Sequence, residues 1–180
     1  AMFGEWLQQG ILLAAKEEGY EVIFEDNKNQ TSLSISAFQK LTEIDKVKGI
    51  VTARTPTAYA LSPLAAKKRI PVVFTFADLP ENIEGYVVNF HFPVDDETTV
   101  LSQVSSKYIG KNGAVITVGD EFGRLAATLF KKKFSAKIVF EEQFEPRQTD
   151  FRTIVKKIPP NTEFIFVVGY GQNLVGLFKS

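Results

Sequence analysis

The chain has 180 residues, 44% of them hydrophobic and 23% charged, with 21 basic against 21 acidic side chains. That balance supplies no field to draw in nucleic acid or an anionic membrane. The absence of cysteine excludes disulfides and thiolate chemistry, and the single histidine, His91, argues against a histidine-dependent triad or zinc site.

In chain order, "GEWLQQGILLAAKEEG" has Trp6, Leu7, Ile11, Leu13 and Ala14 at helical spacing, with Gly19 as its stop. "YEVIFED" predicts a strand. "SLSISAFQKLTEID" predicts a helix with Leu33, Ala37, Phe38, Leu41 and Ile44 on one face. "GIV" predicts a short buried strand, "TAYALSPLAAKK" a helix with a basic end, and "IPVVFTF" and "YVVNFHF" two more strands. The cycle then restarts: "TTVLSQVSSKYIG" helix, "GAVITV" strand, "GRLAATLFKKKF" helix, "KIVFEEQF" strand, "TDFRTIVKKI" helix, "EFIFVVG" strand, "YGQNLVGLFK" helix. Most of the 16 phenylalanines are expected in the core.

Short strands alternating with helices predict βαβ units and parallel sheets. The fold class is therefore α/β, with two Rossmann-like lobes divided near Phe92-Pro93, at 1–92 and 93–180. The first lobe opens on a helix, and the second ends on one. Each lobe is expected to be incomplete, the chain being a fragment or one that completes itself by dimerisation. No apolar run is long enough to span a bilayer, and the first ten residues do not read as a signal peptide.

In open parallel sheets, ligands bind beyond the carboxyl ends of the strands. Those ends carry Thr52, Arg54, Thr55 and Thr57; Ala77 and Asp78; Gly119, Asp120, Glu121 and Phe122; and Gly169 and Tyr170. Thr57 reads equally as a helix N-cap. Thr55 precedes Pro56 and is expected to be extended. Its hydroxyl and the helix start together form a candidate seat for a carboxylate. Asp120 and Glu121 are adjacent, which gives a poor acid/base pair. "GDEFG" has no lysine and is no phosphate loop. His91 reads as a hinge or surface residue. No nucleophile, base and orienting group come together, so no catalytic residue, metal ligand or cofactor is expected.

The pieces "FGEWLQQGILLAAKE", "VIFEDNKNQ", "FQKLTEIDKVKGIV", "LSPLAAKKRIPVV", "GKNGAVITVGDEFG", "FEPRQTDFRTIVKKI" and "FIFVVGYG" stand in one register through nearly the whole chain. In that order they resemble the type I periplasmic binding proteins, with the leucine/isoleucine/valine-binding proteins of ABC transporters as the nearest subgroup. The resemblance implies two lobes that close about a hinge on a small amino-acid-like ligand, delivery to an ABC permease, and a periplasmic or extracellular, membrane-associated location. It places Phe3 at an aromatic wall. It places Thr55, or its neighbour Thr57, at the hydroxyl that receives the ligand carboxylate. Phe76 and Asp78 fall on the loop that holds carboxylate and amine, and Phe122 and Tyr170 on the aromatics of the second lobe. Against the family pattern, the opening strand and the last third are absent, Asp78 replaces a small hydroxyl residue, and Arg54 adds a charge. Asp78 could take an ammonium group. The alternatives are a ligand-sensing domain of a receptor or regulator, and a protein-interaction scaffold of the same fold.

Overall fold

The computed structural model describes residues 2–83, 85–108, 111–135 and 137–180, and two compact units divide it: Ala1–Val47 and Lys48–Ser180. No helix among the described residues is long and apolar enough to cross a membrane.

The first unit holds two helices, α1 (Met2–Glu18) and α2 (Thr31–Glu43). Gly19, at φ 72°, ends α1, and the Tyr20 N–H donates to Ala15 O. This is the αL stop that glycine supplies. Phe38 and Leu41 bury their side chains on α2 as its spacing predicts. Ile44 does not: it is the C-cap, where the chain leaves the helix, and is 72% exposed. "YEVIFED" forms no strand either. A strand is defined by its ladder, and no other strand is described in this unit to supply one.

The second unit contains two three-stranded parallel sheets. The first is built from β1 (Ile50–Ala53), β2 (Val72–Thr75) and β3 (Val87–Phe90), in that spatial order. The second is built from β4 (Asn112–Val118), β5 (Lys137–Phe144) and β6 (Phe164–Val168), in the order β5-β4-β6. The intervening helices are α3 (Thr55–Lys68), α4 (Val94–Tyr108), α5 (Glu121–Lys133), α6 (Arg152–Lys157) and α7 (Gly171–Phe178).

Strand β4 explains the second sheet. Its run Ala-Val-Ile-Thr-Val, apolar but for Thr117, is buried without interruption because both faces are covered. Successive side chains point to opposite faces. Val115 therefore joins Ala127, Phe130 and Phe134 on one side, while Ile116 and Val118 join Phe144, Phe151 and Ile154 on the other. The Phe130 ring lies parallel to that of Phe166, with centroids 3.8 Å apart. The expectation that most phenylalanines are core holds only in part: Phe38, Phe74, Phe130, Phe134, Phe144 and Phe151 are buried, but Phe24, Phe76, Phe90, Phe92 and Phe178 are exposed.

Because β5 and β6 lie on opposite sides of β4, the chain leaves the sheet in opposite directions after β4 and after β6. A crevice opens at the carboxyl ends where such a reversal occurs.

Candidate functional site

Three strand-to-helix junctions meet at one place. Arg54 follows β1 and is the N-cap of α3; Asp120 follows β4 and is the N-cap of α5; Tyr170 follows β6 and is the N-cap of α7. The positive ends of three helix dipoles are thus brought near one acidic and one basic side chain.

Asp120 organises the cluster. Its Oδ1 accepts the Gly123 N–H (3.0 Å), which starts α5. Its Oδ2 accepts from the Tyr170 hydroxyl (2.7 Å) and from the Arg54 guanidinium (3.3 Å). The guanidinium also lies over the Tyr170 ring, 4.6 Å from its centroid. Phe122 stacks on the other member of the aromatic pair, its centroid 5.9 Å from that of Tyr170. The side chains of Arg54 and Asp120 are 22% and 10% exposed, so the pair is largely withdrawn from solvent. Burial is the main cause that pushes the Tyr170 phenol well above its ordinary range; the bond to Asp120 adds to it, and Arg54 opposes it.

Arg54 adopts φ 82° and ψ 138°, a conformation that favours glycine, and its side chain makes no capping bond. The helix therefore starts earlier than the sequence suggests. Thr55 is its first residue and not an extended one, Pro56 is at the second position, where its missing N–H costs no helix bond, and Thr57 is third. The N-cap reading of Thr57 is thereby corrected, since Arg54 occupies that position.

Thr55 is buried, and its Oγ1 accepts the Asp78 N–H at 3.0 Å. Asp78 in turn accepts the Val94 N–H on Oδ1 (3.0 Å), which ties the loop after β2 to the start of α4. Its Oδ2 is buried without a hydrogen-bond partner. Burial raises the Asp78 carboxyl above the usual carboxylate range, against the smaller opposing effects of the Val94 N–H and of His91. Phe76, at φ 49°, projects to solvent, and its ring lies 5.3 Å from His91. His91, between β3 and α4, also faces Glu97, at 3.7 Å.

The predicted residues therefore form two groups. Phe122 and Tyr170 meet at the Arg54–Asp120 pair, while Thr55, Asp78 and Phe76 line the neighbouring loop. Phe3 belongs to the other unit, and its side chain lies outside the described residues. Sequence reasoning gave Arg54 and Asp120 no joint role. The signal available was positional: each, like Tyr170, stands immediately before a helix that leaves a strand. A separate cavity of about 190 Å3 is lined by Phe122, by Leu101 of α4, and by Phe166 and Leu174. Among the described residues no group of three His, Asp or Glu side chains could hold a metal ion.

No match was found among curated protein sequences. Solved structures do match. A solute-binding protein of an ABC transporter from Rhodopseudomonas palustris, solved with 4-hydroxybenzoate, is 25% identical over 99% of this chain and 53% of its own, with a TM-score of 0.87. A second, from R. palustris BisB5 with 3,4-dihydroxybenzoic acid, is 22% identical over 98% and 53% of the two chains (TM-score 0.84). The branched-chain amino acid binding protein LivJ from Streptococcus pneumoniae, solved with isoleucine, is 24% identical over 91% and 51% (TM-score 0.79). The chain thus spans about half the length of the solved relatives it matches, and its parallel sheets are those of the type I periplasmic binding protein fold. A family model described as "Periplasmic binding protein" matches residues 1–180, and with sheet ends and helix starts converging as they do, the chain belongs to that family.

Proposed function

We propose that the chain is part of a solute-binding protein of an ABC-type uptake system, and that it receives a small carboxylate, an amino acid or an acid of similar size, at the Arg54 cluster. One observation carries this reading: a guanidinium, three helix N-termini and two stacked aromatic rings converge at the carboxyl ends of β1, β4 and β6. Cation and helix ends favour a carboxylate, and the rings favour an apolar or aromatic remainder. Thr55, Thr57, Phe76 and Asp78 form the first-lobe side of the seat, and Phe122 and Tyr170 the second-lobe side.

In this reading the lobes are 1–92 and 93–180, and Phe90 to Pro93 is the hinge about which they close. The ligand favours the closed state because it touches both sides. Relatives solved in complex with isoleucine and with hydroxybenzoates support a solute of this size. Family membership supports an ABC permease as the partner and a periplasmic or extracellular, membrane-associated location.

Calorimetric titration of the full-length protein with isoleucine, leucine, 4-hydroxybenzoate and 3,4-dihydroxybenzoate tests the proposal. At least one solute should bind, and Arg54→Ala should weaken it by about tenfold or more, equivalent to about 1.4 kcal/mol. Binding that is indifferent to both Arg54→Ala and Thr55→Ala would place the solute elsewhere and refute the reading.

A further inference from the structure

We infer that Asp78 is a proton-operated clamp and not a solute contact: with its carboxyl neutral it holds the loop after β2 and Thr55 against the start of α4, and when it ionises the hold slackens, so that affinity at the seat falls as pH rises. This rests on the carboxylate seat proposed for Thr55 and Arg54.

Asp78 is 8% exposed and bonds in two directions. Its N–H donates to Oγ1 of Thr55, the first residue of α3, and its Oδ1 accepts the N–H of Val94, the first residue of α4, each at 3.0 Å. Thr55 and Val94 are buried as well. One residue thus ties the helix that leaves β1 to the helix that opens the second lobe, and it does so beside the connection at Phe90 to Pro93. Oδ2 is enclosed and has no hydrogen-bond partner. It offers no open face to a solute ammonium, and a buried polar atom left in this way calls for a reason.

A proton on Oδ2 supplies that reason. A buried neutral O–H without a partner costs less than a buried charge. Oδ1 of the neutral acid still accepts the Val94 N–H. The titratable groups on the elements around Asp78 are Tyr59 on α3, Glu81 in the same loop, His91 after β3, and Asp95, Asp96 and Glu97 in the first turn of α4. Burial first, and then the charge of Asp78, push the Tyr59 phenol up. Asp95 is paired with Lys133 (2.8 Å), and Glu97 faces His91 (3.7 Å). The Val94 N–H and His91 favour the ionised form of Asp78, but burial outweighs both and raises its carboxyl above the ordinary range. Opened to water, the carboxyl returns to that range. The clamped state therefore holds the proton more tightly than the slack one. Its advantage is full below the ordinary carboxylate range and is lost as pH rises through the raised value. A solute that binds the clamped state inherits this dependence.

Calorimetric titration of the full-length protein with isoleucine and with 4-hydroxybenzoate, from about pH 4.5 to about pH 7.5, tests this. The amide of Asp78→Asn keeps an acceptor for the Val94 N–H and cannot ionise. Relative to the wild type, this variant should bind progressively more tightly as pH rises, by about threefold or more across the range. The solute's own titration is common to both proteins and cancels in that ratio. A purely structural role would instead give a variant weaker by one constant factor at every pH. His91→Gln removes a group that favours the ionised form, so the midpoint of the wild-type pH dependence should move to higher pH. Were His91 itself the switch, the dependence would vanish in this variant. Melting temperatures report folding separately, and should Asp78→Asn fail to fold, the midpoint shift decides the matter. A variant-to-wild-type ratio that is the same at every pH, or a dependence that His91→Gln abolishes, overturns the inference while leaving the seat intact. If neither solute binds, or binding ignores both Arg54→Ala and Thr55→Ala, the seat itself is refuted and the inference with it.

Discussion

Tyr170→Phe removes a single oxygen and isolates the bond that joins α7 to α5. The ring stays, with its stack on Phe122 and its place beneath Arg54. What is lost is a 2.7 Å bond to an ionised acceptor that is only 10% exposed. Bonds to charged groups contribute about 1.5–3 kcal/mol, and the low end applies here because Asp120 keeps the Gly123 N–H and Arg54, and phenylalanine is buried with no hydroxyl to desolvate. The expected loss is about 1.5 kcal/mol, or roughly 3–6 °C in melting temperature for a chain of this size. Urea unfolding of the wild type, Tyr170→Phe, Asp120→Asn and the double variant measures the coupling directly. Contacting residues should show an interaction energy of about 1 kcal/mol. If the two single losses simply add, the hydroxyl and the carboxylate do not stabilise one another, and the account of the cluster fails.

The loop after β2 gives a pH test. The Asp78 carboxyl is raised by burial, so the folded chain holds its proton more tightly than the unfolded chain does. Stability from this group is then full below the ordinary carboxylate range and is lost as pH rises through the raised value. Asp78→Asn should remove that component, so that the urea midpoint at about pH 7, relative to that at about pH 4, is higher in the variant than in the wild type; an unchanged pH dependence would count against it. Two glycines separate geometry from propensity. A Cβ at Gly123 would stand 1.8 Å from Val118 O, so Gly123→Ala should cost several kcal/mol or abolish soluble expression. Gly10, inside α1 with nothing within 4 Å of its Cβ position, should gain about 0.5–1 kcal/mol as alanine, read as a higher melting temperature.

Helix and strand periodicity made most of the second unit legible. Apolar runs of four to eight residues became β1 to β6 because each found a parallel neighbour to complete its ladder. "YEVIFED" has the same composition and forms no strand, because alternation and β-branching describe a surface that fits a sheet and do not supply the sheet. Ile44 failed for a related reason: its spacing was right, but the helix had already ended. For the site, the sequence located the strand ends and the aromatics Phe122 and Tyr170. It could not show that Arg54 pairs with Asp120, since 66 residues separate them and only the packing of one sheet end against another brings them within reach. The roles read for Asp120 and Glu121 followed from their adjacency, yet their fates differ: Asp120 turns inward as a cap, and Glu121 pairs with Arg124 at the surface.

The backbone at Arg54 sets the last test. A residue at φ 82° with a Cβ costs about 1–3 kcal/mol, and glycine is an accepted N-cap that would relieve it. Arg54 recovers part of that through a largely buried ion pair, whose net worth is small once desolvation is counted, and a cation–π contact worth about 0.5–1 kcal/mol. Arg54→Gly and Arg54→Ala lose these contacts equally and differ only in the backbone. Allowing about 0.4–1 kcal/mol for the greater freedom of glycine in the unfolded chain, the glycine variant should be the more stable by about 1 kcal/mol. It should also lie close to the wild type, whereas both variants should lose the bound solute. An alanine variant as stable as the glycine one would mean that the backbone here is not strained. A glycine variant that matches the wild type in stability and loses only binding would mean that the arginine is kept at a strained position for its guanidinium, at the meeting point of three helix starts.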